Sequence, residues 1–180
     1  MIFKQVAQAL DGTKTQTRRV GFPYELARQL WRWWDYWPEP PWSWKEWLRD
    51  FPIREEQIAE ANRILAEHVV TLPVQPGRGK KSVGRIRITK IRRERLGDIS
   101  EEDAIAEGIA HKQYIQNPYC KWSGYYVPDD HPPGLEPQIY GHTYASVCYA
   151  VLWDTVYGRG AWERMMDDDV WVLEFERCEE

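Results

Sequence analysis

The chain reads as an α+β protein, because helical and extended periodicities occupy separate stretches of its 180 residues. Three observations carry this. Ile58, Ala61, Ile64 and Leu65 share one helical face, Arg85-Ile86-Arg87-Ile88-Thr89 alternates as a half-buried strand, and Val170-Trp171-Val172-Leu173 is apolar on both strand faces. With 43% hydrophobic residues the chain can build one sizeable core, or one core carrying a large insertion, and is too short for two generous domains. A single domain over residues 1–180 is expected.

Ile2, Phe3, Val6, Ala9 and Leu10 fall at helical spacing, and Asp11-Gly12 ends that helix with a glycine suited to the left-handed cap. Thr15, Thr17 and Val20 favour extension, so a short strand begins just after it. From Phe22 to about His68 the character changes. Trp31, Trp33, Trp34, Trp37, Trp42, Trp44 and Trp47 supply seven of the eleven tryptophans, interrupted by Pro38-Glu39-Pro40-Pro41. Residues 25–34, 43–49 and 55–68 read as three helical pieces of an insertion, 22–68, between two strands. Aromatics at this density either form an accessory mini-core or present a base-stacking platform.

Residues 69–74 read as a strand, 75–82 as a flexible basic loop and 83–96 as a long strand. Ile91 breaks the period of two, which predicts a bulge near Thr89-Lys90. Ser100-Glu101-Glu102-Asp103 opens a helix with a capping pattern and an acidic first turn, and Gly108 closes it, leaving Glu107 as its last residue. Residues 111–137 show no clear periodicity and are expected to be a long loop or lid. Thr143 to Tyr157 is an apolar helix through Tyr144, Val147, Cys148, Val151 and Leu152, and Val170 to Glu176 is the last strand.

The net charge of −4 hides segregation. Arg78, Lys80, Lys81, Arg85, Arg87, Lys90, Arg92, Arg93 and Arg95 are opposed within their stretch only by Glu94, whereas 98–107 and the tail are acidic. Such a stripe either attracts a polyanion over a Debye length of roughly 8–10 Å or is a solvent face answered by neighbouring acids. No apolar run reaches a membrane span and the first residues lack a signal-peptide pattern, so a cytoplasmic protein with no membrane partner is expected. Cys120, Cys148 and Cys178 are odd in number and widely spread, which suits structural thiols in a reducing compartment.

Two places carry the parts of a catalyst. Gly12-Thr13-Lys14-Thr15-Gln16-Thr17-Arg18-Arg19 gathers an amine, hydroxyls and guanidinium groups beside a turn glycine. Lys14 and Thr17, three apart, would point to opposite faces of a strand, so their cooperation requires the backbone to start as a turn. A threonine hydroxyl needs a base, and a lysine serves only if burial or nearby positive charge, here Arg18 and Arg19, lowers its pKa. The competing reading is a basic turn without chemistry. Glu107, at a helix C-terminus, faces the negative end of the dipole, which disfavours ionisation as a general acid requires; the competing reading is an exposed surface glutamate. His68, His111, His131 and His142 with Cys120 and Cys148 lack tight ligand spacing, so no metal is expected. Gly77-Arg78-Gly79-Lys80-Lys81 lacks the Gly-Lys-Ser/Thr tail of a phosphate loop, although a flexible basic loop can contact phosphate.

Gly12 to Arg19 resembles the Gly-x-Lys-Thr-x-Thr-x-Arg signature of the ASCH family, whose members share a PUA-like β-barrel. The resemblance extends through Leu96-Gly97-Asp98-Ile99-Ser100-Glu101-Glu102-Asp103-Ala104-Ile105-Ala106-Glu107-Gly108-Ile109, through Leu152-Trp153-Asp154-Thr155-Val156-Tyr157-Gly158 and through Val170 to Glu176. It covers neither the tryptophan-rich insertion nor residues 111–137, and much of it is similar to ASCH-like proteins of phages and prophages. It implies a small PUA-like barrel surrounded by helices. Within the family, small bacterial amidohydrolases of N4-acetylcytidine use a lysine, a threonine three residues later and a glutamate in the helix after the long strand. On this sequence those roles fall on Lys14, Thr17 and Glu107, with Arg19 matching the signature arginine. The implied mechanism has Lys14 as base, Thr17 Oγ1 attacking the acetyl carbonyl, Glu107 handling the leaving amine's proton and Arg19 holding the oxyanion or substrate.

Two functions are therefore expected. One is an amidohydrolase deacylating a cytidine-like nucleoside through Lys14, Thr17 and Glu107 without a cofactor. The other is an RNA- or nucleic-acid-binding module of phage or prophage origin, with nuclease activity as some ASCH proteins show. Arg18, Arg19, Lys80, Lys81, Arg85 and Arg87 are the residues expected to contact substrate or RNA.

Overall fold

The computed structural model describes residues 5–34, 55–117, 120–127 and 142–178. Its elements are α1 (Val6–Asp11), β1 (Gln16–Arg19), α2 (Tyr24–Trp31), α3 (Glu55–Glu67), β2 (Thr71–Val74), β3 (Gly84–Arg95) and a 3₁₀ turn (Leu96–Asp98). There follow α4 (Glu101–Ala106), β4 (Ala110–Asn117), β5 (Cys120–Tyr126), α5 (Ala145–Tyr157), α6 (Ala161–Met165) and β6 (Asp169–Arg177). The fold is α+β: a curled antiparallel half-barrel sheet in the order β1-β6-β3-β2, a separate β4-β5 hairpin, and helices around them.

The continuous apolar run of β6 follows from its position between β1 and β3. Trp171, Leu173 and Phe175 enter a core shared with α1, α2 and α3, while Val170 enters a second core with α4, α5 and α6. The described helices of the insertion are thus part of the main core. Leu26, Ala27 and Leu30 of α2 and Ala61, Ile64 and Leu65 of α3 pack in one cluster with Leu72, Ile86 and Ile88. The expected helix at 43–49, with Trp37, Trp42, Trp44 and Trp47, lies outside the described residues.

The bulge of β3 falls where Ile91 broke the pattern: the register against β6 shifts between Ile88 and Lys90. Strand β2 pairs with β3 as far as Arg87, and Val70 O, just before β2, accepts from Ile88 N at 2.9 Å. Beyond it Asn62 of α3 takes the place of a strand, its Oδ1 accepting from Ile91 N at 2.8 Å and its Nδ2 donating to Ile91 O at 2.8 Å. A buried backbone edge is satisfied in this way without further sheet.

Residues 111–137 are not simply a loop. Residues 110–126 contain the hairpin β4-β5, with its own register irregularity between Ile115 and Asn117, and residues 128–141 lie outside the described residues. Among the described residues no helix is long and apolar enough to cross a membrane.

Helix α5 is tied to α4 by a carboxylate. Glu101 Oε2 accepts from Ala145 N at 2.6 Å and its Oε1 from Ser146 N at 3.1 Å, capping α5 from another helix. Glu101→Ala is expected to lower the unfolding free energy in urea by about 1–2 kcal/mol, the usual cost of a lost cap; an unchanged urea midpoint would remove this role.

Candidate functional site

Local backbone geometry brings the first motif to the end of α4. Gly12 takes φ +87°, which ends α1 in the left-handed conformation. Lys14 N then bonds Gln8 O at 2.9 Å, Thr15 N bonds Ala106 O at 2.9 Å, and Thr15 O accepts from Phe175 N at 2.8 Å. Lys14 and Thr15 are therefore clamped between α1, the last turn of α4 and β6. Extended backbone begins at Gln16, so the motif does start as a turn.

Helix α4 opens with Ser100 Oγ accepting from Asp103 N at 3.0 Å. It closes in a Schellman arrangement: Gly108 N bonds Ile105 O at 2.8 Å and Ile109 N bonds Ala104 O at 3.3 Å, with Gly108 at φ +94°. A Cβ on Gly108 would also lie 3.1 Å from Gln5 Oε1, so two constraints favour glycine here. The cap turns the Glu107 side chain inward. Glu107 is 2% exposed and not the surface residue of the competing reading.

Lys14 Nζ meets Glu107 Oε2 at 2.8 Å, Gln5 Oε1 at 3.2 Å and the main-chain oxygen of Glu107. These three acceptors match the three protons of an ammonium. Gln5 Nε2 in turn donates to Gly108 O at 3.1 Å. Thr17 is buried on the same cavity, but its hydroxyl makes no hydrogen bond with Lys14. Burial lowers the Lys14 pKa, helped by the nearby Arg19 and Arg18 charges and opposed by Glu107.

Arg18 is not turned to a ligand. Its Nε donates to Glu94 at 2.7 Å, its Nη2 to Asp103 at 2.8 Å and its Nη1 to the other Glu107 oxygen, Oε1, at 3.3 Å. Arg92 joins the same acids, reaching Asp103 at 2.7 Å, Glu94 at 3.2 Å and Glu174 at 2.9 Å. Asp103 is partly buried, which opposes its charge, but Arg92 and Arg18 outweigh this and hold its carboxyl below the usual range.

A cavity of about 240 Å³ opens over this arrangement. Gln5, Lys14, Thr17, Arg18, Arg19 and Glu107 line one side. The other is a wall of Tyr149, Leu152, Trp153, Val156 and Tyr157, all from α5. The Arg18 guanidinium lies 5.7 Å from the centre of the Tyr149 ring.

The remaining expected contacts lie elsewhere. Arg85 bonds Thr71 at the β2 edge, at 3.0 Å from Nε to Oγ1, and Arg87 pairs with Glu176 at 3.1 Å. Lys80 and Lys81 are exposed in the β2-β3 connection, with no ion pair among the described residues. Much of the basic stripe is answered by acids. Glu174 and Glu176 of β6, Asp169 at its start, Asp167 before it and Asp103 of α4 pair with Arg87, Lys90, Arg92, Arg93 and Arg95. Sequence reasoning missed Gln5 and the wall of α5; the spacing of Tyr149, Trp153 and Tyr157 on one helical face is the signal that could have found the latter.

The chain matches no family model, and no curated protein or solved structure is significantly similar to it.

The depressed Lys14 pKa makes stability depend on pH in a stated direction. Between the folded pKa and the usual 10.5, the unfolded chain binds more protons than the folded one at this position. Stability from this group therefore rises with pH across that interval and is flat below it. Denaturation at stepped alkaline pH is expected to show this rise relative to Lys14→Met; parallel profiles would contradict it.

Proposed function

We propose that the chain is an ASCH-type protein with a PUA-like barrel, whose cavity deacylates a cytidine-like nucleoside bearing an N4-acyl group. The observation that carries this reading is the meeting of Lys14, Thr17 and Glu107 at one cavity, with Lys14 Nζ 2.8 Å from Glu107 Oε2.

The ion pair suggests how the proton inventory balances. A proton passes from Lys14 to Glu107, leaving a neutral amine beside a carboxylic acid. The depressed Lys14 pKa reduces the cost of that transfer. Lys14 then takes the Thr17 hydroxyl proton as Oγ1 bonds the acyl carbon, and Glu107 protonates the amine as the C–N bond breaks. The products are an acyl ester on Thr17, the free nucleoside and the restored ion pair. A second proton shift from Lys14 to Glu107 frees the amine to take a proton from water as it attacks the ester, and Glu107 protonates the departing Thr17 oxygen, so the carboxylic acid is released with Thr17 and the ion pair regenerated. Arg19, which lines the cavity, would meet the developing oxyanion.

Thr17→Ala is expected to reduce deacylation of N4-acetylcytidine to background. Lys14→Met and Glu107→Gln should lower kcat by roughly 10²–10⁴ each, the usual worth of a general acid or base. Circular dichroism of each variant checks the fold. Undiminished turnover in any two of the three variants would end the proposal.

Nucleic-acid binding is the second reading, and what favours it is the exposed group Arg78, Lys80 and Lys81, which has no ion pair among the described residues. Three phosphate contacts to single-stranded RNA would give a slope of log affinity against log salt near about −2. A flat salt response would contradict this reading.

A further inference from the structure

The open edge of β1 presents a main-chain donor to the cavity. Among the described residues β1 pairs with β6 alone and forms one edge of the sheet. The bond from Phe175 N to Thr15 O sets the phase of that ladder. Thr17 and Arg19 therefore exchange hydrogen bonds with Leu173 and Trp171, whereas Gln16 and Arg18 turn their N–H and C=O groups away from β6. Among the described residues no oxygen accepts from Arg18 N.

Arg18 as a whole residue is 3% exposed, but its side chain, spent on Glu94, Asp103 and Glu107, is 0% exposed. The surface that Arg18 keeps is main chain. Strand β6 covers one side of that main chain and Arg18 lines the cavity, so the part that reaches the cavity is the outward edge. A main-chain N–H buried to this degree ordinarily has a partner, and here the partner has to come from the cavity.

The place of Arg18 in the chain says which ligand atom it meets. Thr17 Oγ1 is joined to Arg18 N through Cβ, Cα and C only, which keeps the two within roughly 3–4 Å. A carbon bonded to Oγ1 carries its own oxygen into reach of that N–H. The residue after the nucleophile supplies an oxyanion donor in unrelated hydrolases.

We propose that the Arg18 main-chain N–H is an oxyanion donor of this site, acting with Arg19. As Thr17 Oγ1 bonds the acyl carbon, the carbonyl π pair moves onto oxygen, which accepts from Arg18 N–H without a proton passing between them. The pair returns as the C–N bond breaks. The Arg18 side chain then has a positioning role, because its three ion pairs fix the main chain that carries the donor. The inference rests on the reading of Thr17 as nucleophile and adds the group that holds the charge its attack creates.

The donor can be deleted without touching a side chain. In the full chain assembled with a synthetic amino-terminal segment, an ester at Arg18 replaces the N–H by oxygen and keeps the ion pairs. The same ester at Gln16 is the matched control: its N–H also faces the open edge, it does not line the cavity, and each swap weakens one carbonyl that accepts from β6. With N4-acetylcytidine the Arg18 ester is expected to lower kcat roughly 10²–10³-fold with KM nearly unchanged, and the Gln16 ester to leave kcat close to that of the unaltered chain. A second measurement needs no ester. In Thr17→Ala, which lacks the nucleophile, the Arg18 amide proton resonance should move downfield with N4-acetylcytidine and not with cytidine. Equal kcat in the two esters, or an Arg18 resonance indifferent to the acyl group, would each overturn the donor while an active unaltered chain upholds the reaction. Absence of deacylation by the unaltered chain would remove the reaction and the donor together.

Discussion

The ion pair between Lys14 and Glu107, residues 93 apart in sequence and 4% and 2% exposed, is the constraint on which the site depends. Each charge is expensive to bury, and removing one partner of such a pair commonly costs about 3–5 kcal/mol because the other is stranded. The surroundings are arranged to meet that demand. Gln5 takes one ammonium proton, the main-chain oxygen of Glu107 another, and Arg18 covers the second carboxylate oxygen. Gly108 must be a glycine partly because Gln5 packs against it.

Around the pair, Arg18 and Arg92 each reach Glu94 and Asp103, so the cations of β1 and β3 share acids from β3 and α4. Such a network holds its members in one geometry more than it adds net stability. Positional precision is what proton transfer between fixed side chains requires. The Thr17 hydroxyl, which lines the same cavity, takes no part in this network and makes no hydrogen bond with Lys14.

Much of the fold was legible because its physical cause is local. The apolar run of β6 announced a strand apolar on both faces, the break at Ile91 announced the bulge, and Gly12 and Gly108 announced helix ends. What escaped was decided by packing. Helix α5 is apolar nearly all round, so periodicity could not say that Tyr149 and Trp153 face inward while Tyr144, Val147 and Val151 stay exposed. The Asn117-Pro118 step is a turn signal between two strands, but aromatic and polar residues without alternation hid the hairpin around it. Lys14, Thr17 and Glu107 were visible as candidates. That Arg18 would serve Glu107, Glu94 and Asp103 was not, because ion-pair partners 76 to 89 residues away leave no local trace.

The most direct test of the central claim is to look for the covalent intermediate. Rapid-quench mixing with N4-acetylcytidine, followed by peptide mass mapping, is predicted to place one acetyl group on the Thr17 side chain. Turnover with Thr17 unmodified at every quench time, or with the acetyl group on another residue, would contradict the account.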